Sequence, residues 1–309
     1  MTEQAATTQP LTGAGLWFRA VRPFSFTASA VPVLVAACAS WAAGQDVAWP
    51  LLAPTLVAAI AVHAGTNLFN DTHDYCRGVD REGTLGGSGV LVSGALSPAR
   101  TRLGALLCFA LAAALGAWFI ALRGWPLALI GVLGLAGGYA YTGGPIGYKY
   151  RALGDPLVFL LMGPLMVVGA GLVLTGTVHL PLLWIATPVG LLVMSILHAN
   201  NLRDLGDDQR SGFHTIAMLL GPRQARRWYA VMVALAFVVT GLLVTIQMLP
   251  IWSVAVVLAV PAALKNIRRV LASGSDRRDG LADIDVQSAQ THALFGILLC
   301  LSLVMGALL

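Results

Sequence analysis

Two clusters of acidic and amide side chains are the clearest chemical feature of this 309-residue sequence. The first contains Asn67, Asp71 and Asp74, which are spaced i, i+4 and i+7 at the end of a long apolar segment. On a helix, this spacing places the three side chains on one face about two turns long. Because the carboxylates on that face would repel each other, we expect a cation to bind there.

The second cluster repeats the pattern far downstream. Asn200, Asp204 and Asp207 each lie 133 residues after a member of the first cluster, and Asp208 follows directly. Two matched Asn/Asp faces predict one site built from two halves. Carboxylate and amide oxygens suit Mg²⁺, which usually keeps waters and shares its coordination with substrate phosphates.

Four basic residues lie near the ends of apolar segments, at the same predicted membrane level as the acidic clusters: Arg77, Lys149, Arg151 and Arg203. Acids interleaved with Arg and Lys favour a metal-bridged diphosphate over a free cation. The apolar surroundings suit a long hydrocarbon tail, so a polyprenyl diphosphate satisfies both demands. Neutralising its diphosphate in a water-poor pocket would ease ionisation to an allylic cation, which an electron-rich acceptor would capture.

The elements that position these clusters are membrane helices. The chain is 57% hydrophobic and only 11% charged, with a mean hydropathy of +0.78, which excludes an ordinary soluble globular protein. We predict an all-α, polytopic membrane protein with about nine helices around a central cavity, since spanning a bilayer takes roughly 20 apolar residues. The predicted segments are 22–43, 50–70, 103–122, 125–142, 155–177, 180–200, 228–248, 251–271 and 290–309.

The basic residues predict the orientation of these helices. Of the nineteen Lys and Arg residues, only Arg123 falls outside the N-terminal stretch and the even-numbered loops. The positive-inside rule therefore predicts a cytoplasmic N-terminus, with both acidic clusters on the cytoplasmic side of the cell membrane. We expect residues 1–16 to form a disordered tail and residues 17–309 to form one multi-pass domain in the lipid bilayer.

Other features of the sequence exclude several functions. The net charge of +5 follows from topology, and we predict no nucleic-acid partner. The four cysteines have no CxxC spacing, so neither a disulfide framework nor a zinc site is indicated. The glycine-rich stretch 83–89 lacks the Lys-Ser/Thr ending of a P-loop, and we interpret it as a mobile lid over the site.

The two clusters resemble the aspartate-rich motifs of the UbiA superfamily of intramembrane prenyltransferases. The first motif reads Asn67-x3-Asp71-x2-Asp74 with Arg77-Gly-x-Asp80 behind it, and the second reads Asn200-Asn201-x-Arg203-Asp204-x3-Asp208-x3-Gly212-x2-Thr215. The doubled Asn, the Tyr141-Thr-Gly-Gly-Pro145 stretch and Leu153-Gly-Asp155 are most similar to the branch that prenylates 1,4-dihydroxy-2-naphthoate in menaquinone synthesis. In that branch the ring carboxylate is lost as the prenyl group is attached.

The resemblance implies a Mg²⁺-dependent prenyltransferase whose site faces the cytoplasm. It assigns the metal to Asn67, Asp71, Asp74, Asn200, Asp204 and Asp208, the four aspartates being catalytic. The diphosphate would be held by Asn67, Arg77, Lys149, Arg151, Asn200 and Arg203. Further candidates are Asp80, Tyr141, Asn201 and Asp207.

Other functions remain open at this stage. The acceptor could instead be 4-hydroxybenzoate, homogentisate, a chlorophyllide or a glycerol phosphate. A CDP-alcohol phosphotransferase also uses intramembrane aspartates and Mg²⁺, although its acids cluster in one continuous motif. A cation transporter is a non-enzyme alternative, but two motifs on one side of the membrane suit alternating access poorly.

Overall fold

The protein is a bundle of helices. The computed structural model describes residues 13–210, 212–273 and 278–309. In chain order the α-helices are α1 (Ala14–Val21), α2 (Thr27–Ala42), α3 (Leu52–Cys76), α4 (Pro98–Arg123), α5 (Trp125–Ala140), α6 (Gly154–Leu160), α7 (Met166–Thr175), α8 (Pro181–Arg203), α9 (Leu205–Arg210), α10 (Ile216–Thr245), α11 (Val260–Ala272) and α12 (Ile284–Leu308). These described ranges contain no β-strand, only an isolated bridge between Arg151 and His214.

Shorter helical turns complete several of these helices. A 3₁₀ turn at Pro23–Phe26 leads into α2, and a longer one at Ile251–Ala259 precedes α11. A π-helical turn at Leu161–Leu165 joins α6 and α7 and contains Pro164. Such turns often occur at functional sites, and part of this one lines the cavity described below.

Each predicted apolar segment coincides with a helix. Among the described residues, seven helices are long and apolar enough to cross a membrane: 23–42, 49–76, 98–123, 154–175, 181–203, 216–245 and 284–308. Helix α5 is shorter, and residues 251–272 are divided between a 3₁₀ and an α-helical part. The all-α, polytopic class is thus confirmed; nine spans and a cytoplasmic N-terminus stay predictions.

Several helix boundaries differ from the predicted ones. Helix α3 continues to Cys76, so the whole first acidic cluster lies on one helix. Helix α10 begins at Ile216 rather than near 228. It bends at Gly221, which has a φ of 73° and is followed by Pro222. Of the predicted N-terminal tail, residues 1–12 lie outside the described residues, and α1 begins at Ala14.

Local sequence signals explain where the long helices start. The Ser97 side chain accepts a hydrogen bond from the backbone N–H of Arg100 at the start of α4, which opens with Pro98. Thr215 caps α10 in the same way, through the N–H of Met218. Both caps stand at the end of the bundle that carries the acidic clusters, so loops from that end enter the helices with defined geometry.

The main apolar core lies between α2, α8, α10 and α12, with Val35, Leu192, Met232 and Phe295 among its buried side chains. By contrast, α4 and α5 expose leucines and Trp125 over much of their surface, as expected for a lipid-facing pair. This arrangement leaves α3, α4, α5, α7 and α8 around a central space.

Candidate active site

The end of α3 carries the first acidic cluster, and its carboxylates are buried. Asp71 and Asp74 are each 2% exposed. Both lie in the last two turns of the 25-residue helix, where its apolar sequence gives way to polar residues. Because burying an unpaired carboxylate is costly, each acid needs a partner from elsewhere in the chain.

Asp71 is held by Arg22 and Ser88. The Arg22 guanidinium forms an ion pair with Oδ1 of Asp71. The backbone N–H of Ser88 donates to Oδ2 over 3.0 Å, and the Ser88 hydroxyl donates to the same oxygen. Arg19 in turn donates from Nε to the carbonyl of Ser88 over 2.9 Å. Asp71 is therefore contacted both by the segment around Arg22 and by the 77–97 loop.

Asp74 is held by the loop between α5 and α6. Lys149 Nζ lies 2.5 Å from Oδ2 of Asp74, and the Tyr150 hydroxyl donates to Oδ1 over 2.7 Å. Lys149 also donates to Oδ1 of Asn70 over 2.9 Å. Burial alone would lower the pKa of Lys149, but Asp74 outweighs it and the pKa is raised. Lys149 is therefore a fixed cation at the edge of the site.

The second cluster lies where α8 ends and contains two adjacent amides. Asn201 donates from Nδ2 to Oδ1 of Asp155 over 3.1 Å. Oδ1 of Asn200 is buried and has no hydrogen-bond partner among the described residues. A buried oxygen without a donor is rare in proteins, so this atom is a candidate ligand of a cation or a substrate proton.

Arg203 joins the second cluster to the last helix. Its Nε and Nη2 donate to the two carboxylate oxygens of Asp204 over 2.7 and 2.8 Å. Its Nη1 donates to Oδ2 of Asp285, in the first turn of α12, over 2.6 Å. This geometry fixes the guanidinium plane at the mouth of the site.

The two halves of the site influence each other electrostatically. Burial raises the pKa of Asp208 to about 7, and Asp204 and Asp74 contribute to the increase. Burial likewise raises the pKa of Asp80 to about 6, with contributions from Asp74 and Asp204. The pKa of each of these two acids is thus raised by carboxylates of both clusters. Asp207 is buried beside them. Such an accumulation of negative charge is a common mark of a functional site.

The glycine-rich loop lies against both halves. A Cβ atom added to Gly86 would lie 3.3 Å from Oδ1 of Asp80 and 3.4 Å from Oδ2 of Asp204. The next residue, Gly87, has a φ of 69°, and a Cβ atom added there would come still closer to Oδ2 of Asp80. A side chain at Gly86 would crowd the acids, and the positive φ of Gly87 favours glycine at this contact.

A cavity of about 450 Å³ connects these groups to the interior of the bundle. Its polar end is lined by Arg22, Asn67, Asn70, Asp74, Asp80, Tyr141, Lys149, Asn200, Asn201, Arg203, Asp204, Asp207 and Asp208. Its body is apolar, and small residues of α4 and α5 such as Ala112, Gly116, Ala128 and Gly131 form one wall. Burial raises the pKa of the lining phenol Tyr141 to about 12, so it stays neutral.

Three predicted site residues lie outside the cavity lining. Asp71 is behind Arg22 and Ser88. The Arg77 guanidinium stacks 4.5 Å above the centre of the Tyr150 ring. Arg151 donates from Nη2 to the carbonyl of Pro145 over 2.8 Å. The structure therefore brings most of the predicted residues together and leaves these three at the border.

Four residues of the site were not predicted to belong to it: Arg22, Ser88, Tyr150 and Asp285. In the sequence Arg22 contributes only to the basic residues that predict the topology, and Asp285 lies in a stretch without a motif. A charged residue directly at the start of an apolar helix was the available signal, since Arg22 precedes Pro23 and Asp285 lies in the first turn of α12. Ser88 gave no signal beyond its place in the glycine-rich loop.

The oxygen donors at the mouth fit a hard divalent cation. They are carboxylate and amide oxygens, and Oδ1 of Asn200 has no hydrogen-bond partner in the part of the chain that the structure describes. In the described parts of the chain, however, no three His, Cys, Asp or Glu side chains form a finished metal cluster. Arg22, Lys149 and Arg203 hold acids there instead.

Comparison with known proteins gives consistent results. A model of the UbiA prenyltransferase family matches residues 29–283. The 1,4-dihydroxy-2-naphthoate octaprenyltransferase of Bacillus subtilis (strain 168) is 32% identical over 305 residues, covering 98% of this chain and 96% of the relative. The human UbiA prenyltransferase domain-containing protein 1 is 34% identical over 229 residues, covering 73% of this chain and 67% of the relative.

Solved structures share the fold at lower sequence identity. An apo UbiA homologue from Aeropyrum pernix K1 superposes with a TM-score of 0.67 at 17% identity, covering 89% of this chain and 95% of the other. A UbiA homologue from Archaeoglobus fulgidus, bound to DMAPP and Mg²⁺, gives a TM-score of 0.61 at 17% identity, covering 92% and 98%. The predicted bundle around a central cavity is thereby confirmed.

Proposed function

The chain belongs to the UbiA prenyltransferase family, and from this premise we propose that it transfers a polyprenyl group to 1,4-dihydroxy-2-naphthoate with loss of the ring carboxylate. One observation carries the proposal: a mouth rich in acids and cations opens onto an apolar cavity of about 450 Å³. The mouth suits a diphosphate and the cavity suits its hydrocarbon tail. The acceptor assignment is supported by the similarity to the B. subtilis enzyme over 98% of this chain.

The chain's cations would bind the diphosphate. Lys149 and Arg203 line the mouth from opposite halves, and each is already fixed by a carboxylate. Arg22 lines the same mouth from the start of the first long helix. Together they would compensate the negative charge that develops as the C–O bond of the donor breaks. Arg77 and Arg151, at the border, would add to the positive potential that attracts the diphosphate.

The acidic and amide side chains of both halves would hold Mg²⁺. The proposed ligands are Asn67, Asp71, Asp74, Asn200, Asp204 and Asp208, with Asp80 and Asp207 as neighbours. Bound there, Mg²⁺ would neutralise the diphosphate and stabilise it as a leaving group. An archaeal UbiA homologue is known bound to DMAPP and Mg²⁺, which supports this choice of metal.

The apolar body of the cavity would exclude water from the allylic cation. The wall formed by α4, α5 and α7 consists mainly of aliphatic and small side chains, which offer no nucleophile to the cation. Helix α3 adds Thr55, His63 and Thr66 to the lining. The cation would then be captured by the electron-rich ring of the acceptor, forming the new C–C bond. The site would face the cytoplasm, because all but one of the basic residues lie in loops on that side of the predicted topology.

The proposal is tested by diphosphate release from the purified protein in the presence of geranylgeranyl diphosphate. We expect Mg²⁺-dependent release with 1,4-dihydroxy-2-naphthoate, accompanied by CO₂, and no release with 4-hydroxybenzoate. Release with 4-hydroxybenzoate, homogentisate or a chlorophyllide alone would replace the acceptor but keep the reaction. Absence of release with every acceptor would overturn the proposal.

A further inference from the structure

A buried pair of side chains lies directly behind the second acidic cluster. His198 Nδ1 is 2.6 Å from Oδ2 of Asp155, and His198 Nε2 is 3.0 Å from the carbonyl oxygen of Ala225. Asp155 is 1% exposed and His198 is fully buried. Neither side chain lines the cavity, and neither has a role in the function proposed above.

These contacts fix the Asp155 and His198 side chains among three helices. Asp155 belongs to α6, His198 to α8 and the carbonyl of Ala225 to α10. Because Oδ2 of Asp155 is engaged by the His198 ring, Oδ1 is the oxygen left to accept a hydrogen bond. The pair therefore joins α6, α8 and α10 and leaves one acceptor facing Asn201.

The same carboxylate determines which way the Asn201 amide points. Oδ1 of Asp155 lies 3.1 Å from the Asn201 amide nitrogen. Because Oδ1 is an acceptor, the NH₂ group of Asn201 faces Asp155 and donates to it. The amide oxygen is then directed away from Asp155, and the Asn201 side chain lines the cavity.

We propose that Asp155 and His198 are positioning residues that hold the Asn201 carbonyl oxygen toward the cation and diphosphate at the mouth. The inference rests on the proposed function, because it needs a cation at this end of the cavity. Oδ1 of Asn200, one residue earlier, is buried without a hydrogen-bond partner among the described residues, and both amides line the mouth. The hydrogen bond to Asp155 prevents the Asn201 amide flip that would turn an N–H donor toward that mouth.

The inference is tested by Mn²⁺ binding to the purified full chain, measured by electron paramagnetic resonance without prenyl substrate. Loss of a residue that orients a metal ligand typically weakens metal binding about 10-fold or more. We expect that decrease for Asp155→Asn and for Asn201→Ala. In the double variant we expect no decrease beyond that of Asn201→Ala, because Asp155 acts through Asn201. Asp155→Glu, which restores an acceptor-only carboxylate, should recover most of the affinity.

A merely structural role gives a different result. In that case Asp155→Asn would weaken Mn²⁺ binding equally in the Asn201→Ala background, and this additivity would overturn the inference. Tyr229→Phe is the matched control, since it removes a buried 2.8 Å hydrogen bond to Ser288 away from the cavity. It should leave Mn²⁺ affinity unchanged. Wild-type protein that binds no Mn²⁺ would also overturn the inference, whereas Mn²⁺ binding without prenyl transfer would overturn only the proposed function.

Discussion

The site neutralises its own acids with the cations that the proposed reaction needs. Asp71 is paired with Arg22, Asp74 with Lys149, and Asp204 with Arg203. In the proposed complex these partners would change: the metal would replace the cations at the acids, and the diphosphate would replace the acids at the cations. Each of these six charges would then have a partner in both states, which avoids the cost of leaving any of them buried and unpaired.

Single acids of either half should therefore be essential for turnover. We expect Asp71→Ala and Asp204→Ala each to lower Mg²⁺-dependent diphosphate release by about 100-fold or more, because each loses charge stabilisation of the metal and leaving group. Membrane insertion should be unaffected. Asp283→Asn is the control, since Asp283 pairs with Arg269 outside the cavity. Full activity in either alanine variant would contradict a site built from two halves.

The raised pKa values of Asp80 and Asp208 predict how stability depends on pH. Their native pKa values are about 6 and about 7, above the usual 3.8. At pH values between 3.8 and these raised pKa values, the native protein binds more protons than the unfolded chain. The free energy of unfolding therefore falls as pH rises. We expect the melting temperature of the metal-free protein to decrease from about pH 5 to about pH 7 and then to level off with respect to these groups.

The Asp208→Asn variant isolates this contribution. Asparagine cannot ionise, so in the variant the melting temperature should no longer show the part of its decrease with pH that is due to ionisation of Asp208 near pH 7. Its melting temperature at about pH 7 should exceed that of the wild type in the absence of metal. An unchanged pH profile in the variant would show that Asp208 does not carry the buried charge.

Among the elements, the helices that bear the acids were predictable and the contacts between them were not. The i, i+4, i+7 spacing from Asn67 to Asp74 identified a single helical face, because that periodicity is local. The pairing of Arg22 with Asp71, or of Arg203 with Asp285, joins residues far apart in the sequence. No periodicity reports such a contact; it follows only from how the helices pack.

The helix boundaries show the same distinction. The second predicted segment ends at residue 70, because the residues that follow are polar and lower the local hydropathy. In the structure α3 continues to Cys76, since Asp71 and Asp74 are paired and can be buried. Tertiary pairing therefore extends a helix past the point where its own sequence stops being apolar.

The 77–97 loop should tolerate no bulk where it touches both halves of the site. We expect Gly86→Val to lower turnover strongly, because its side chain would displace the carboxylates of Asp80 and Asp204, which already lie within 3.4 Å of an added Cβ. Gly241→Val on α10 is the control, since a Cβ there meets nothing within 4 Å. Diphosphate release measured at saturating Mg²⁺ should be lost only in the first variant; equal activity would place the loop away from the reacting groups.

At the scale of the whole molecule, the bundle separates a charged mouth from an apolar interior. The main core between α2, α8, α10 and α12 is densely packed, whereas the space beside α4 and α5 stays open. This asymmetry was not predictable in detail, because hydropathy gives similar values for a helix that packs and a helix that lines a cavity. Substrate length should therefore be set by α4 and α5 and not by the acidic motifs.

Gly131 on α5 offers a direct test of that division. It lines the cavity, and a Cβ added there meets nothing within 4 Å, so a phenylalanine would occupy space instead of forcing helices apart. We expect Gly131→Phe to raise KM for geranylgeranyl diphosphate while KM for the shorter geranyl diphosphate changes little. Gly241→Phe adds the same ring to an exposed position of α10 and should alter neither constant. An equal effect on both donors would instead place Gly131 beside the diphosphate or the acceptor, and the tail would then have to lie along another wall of the cavity.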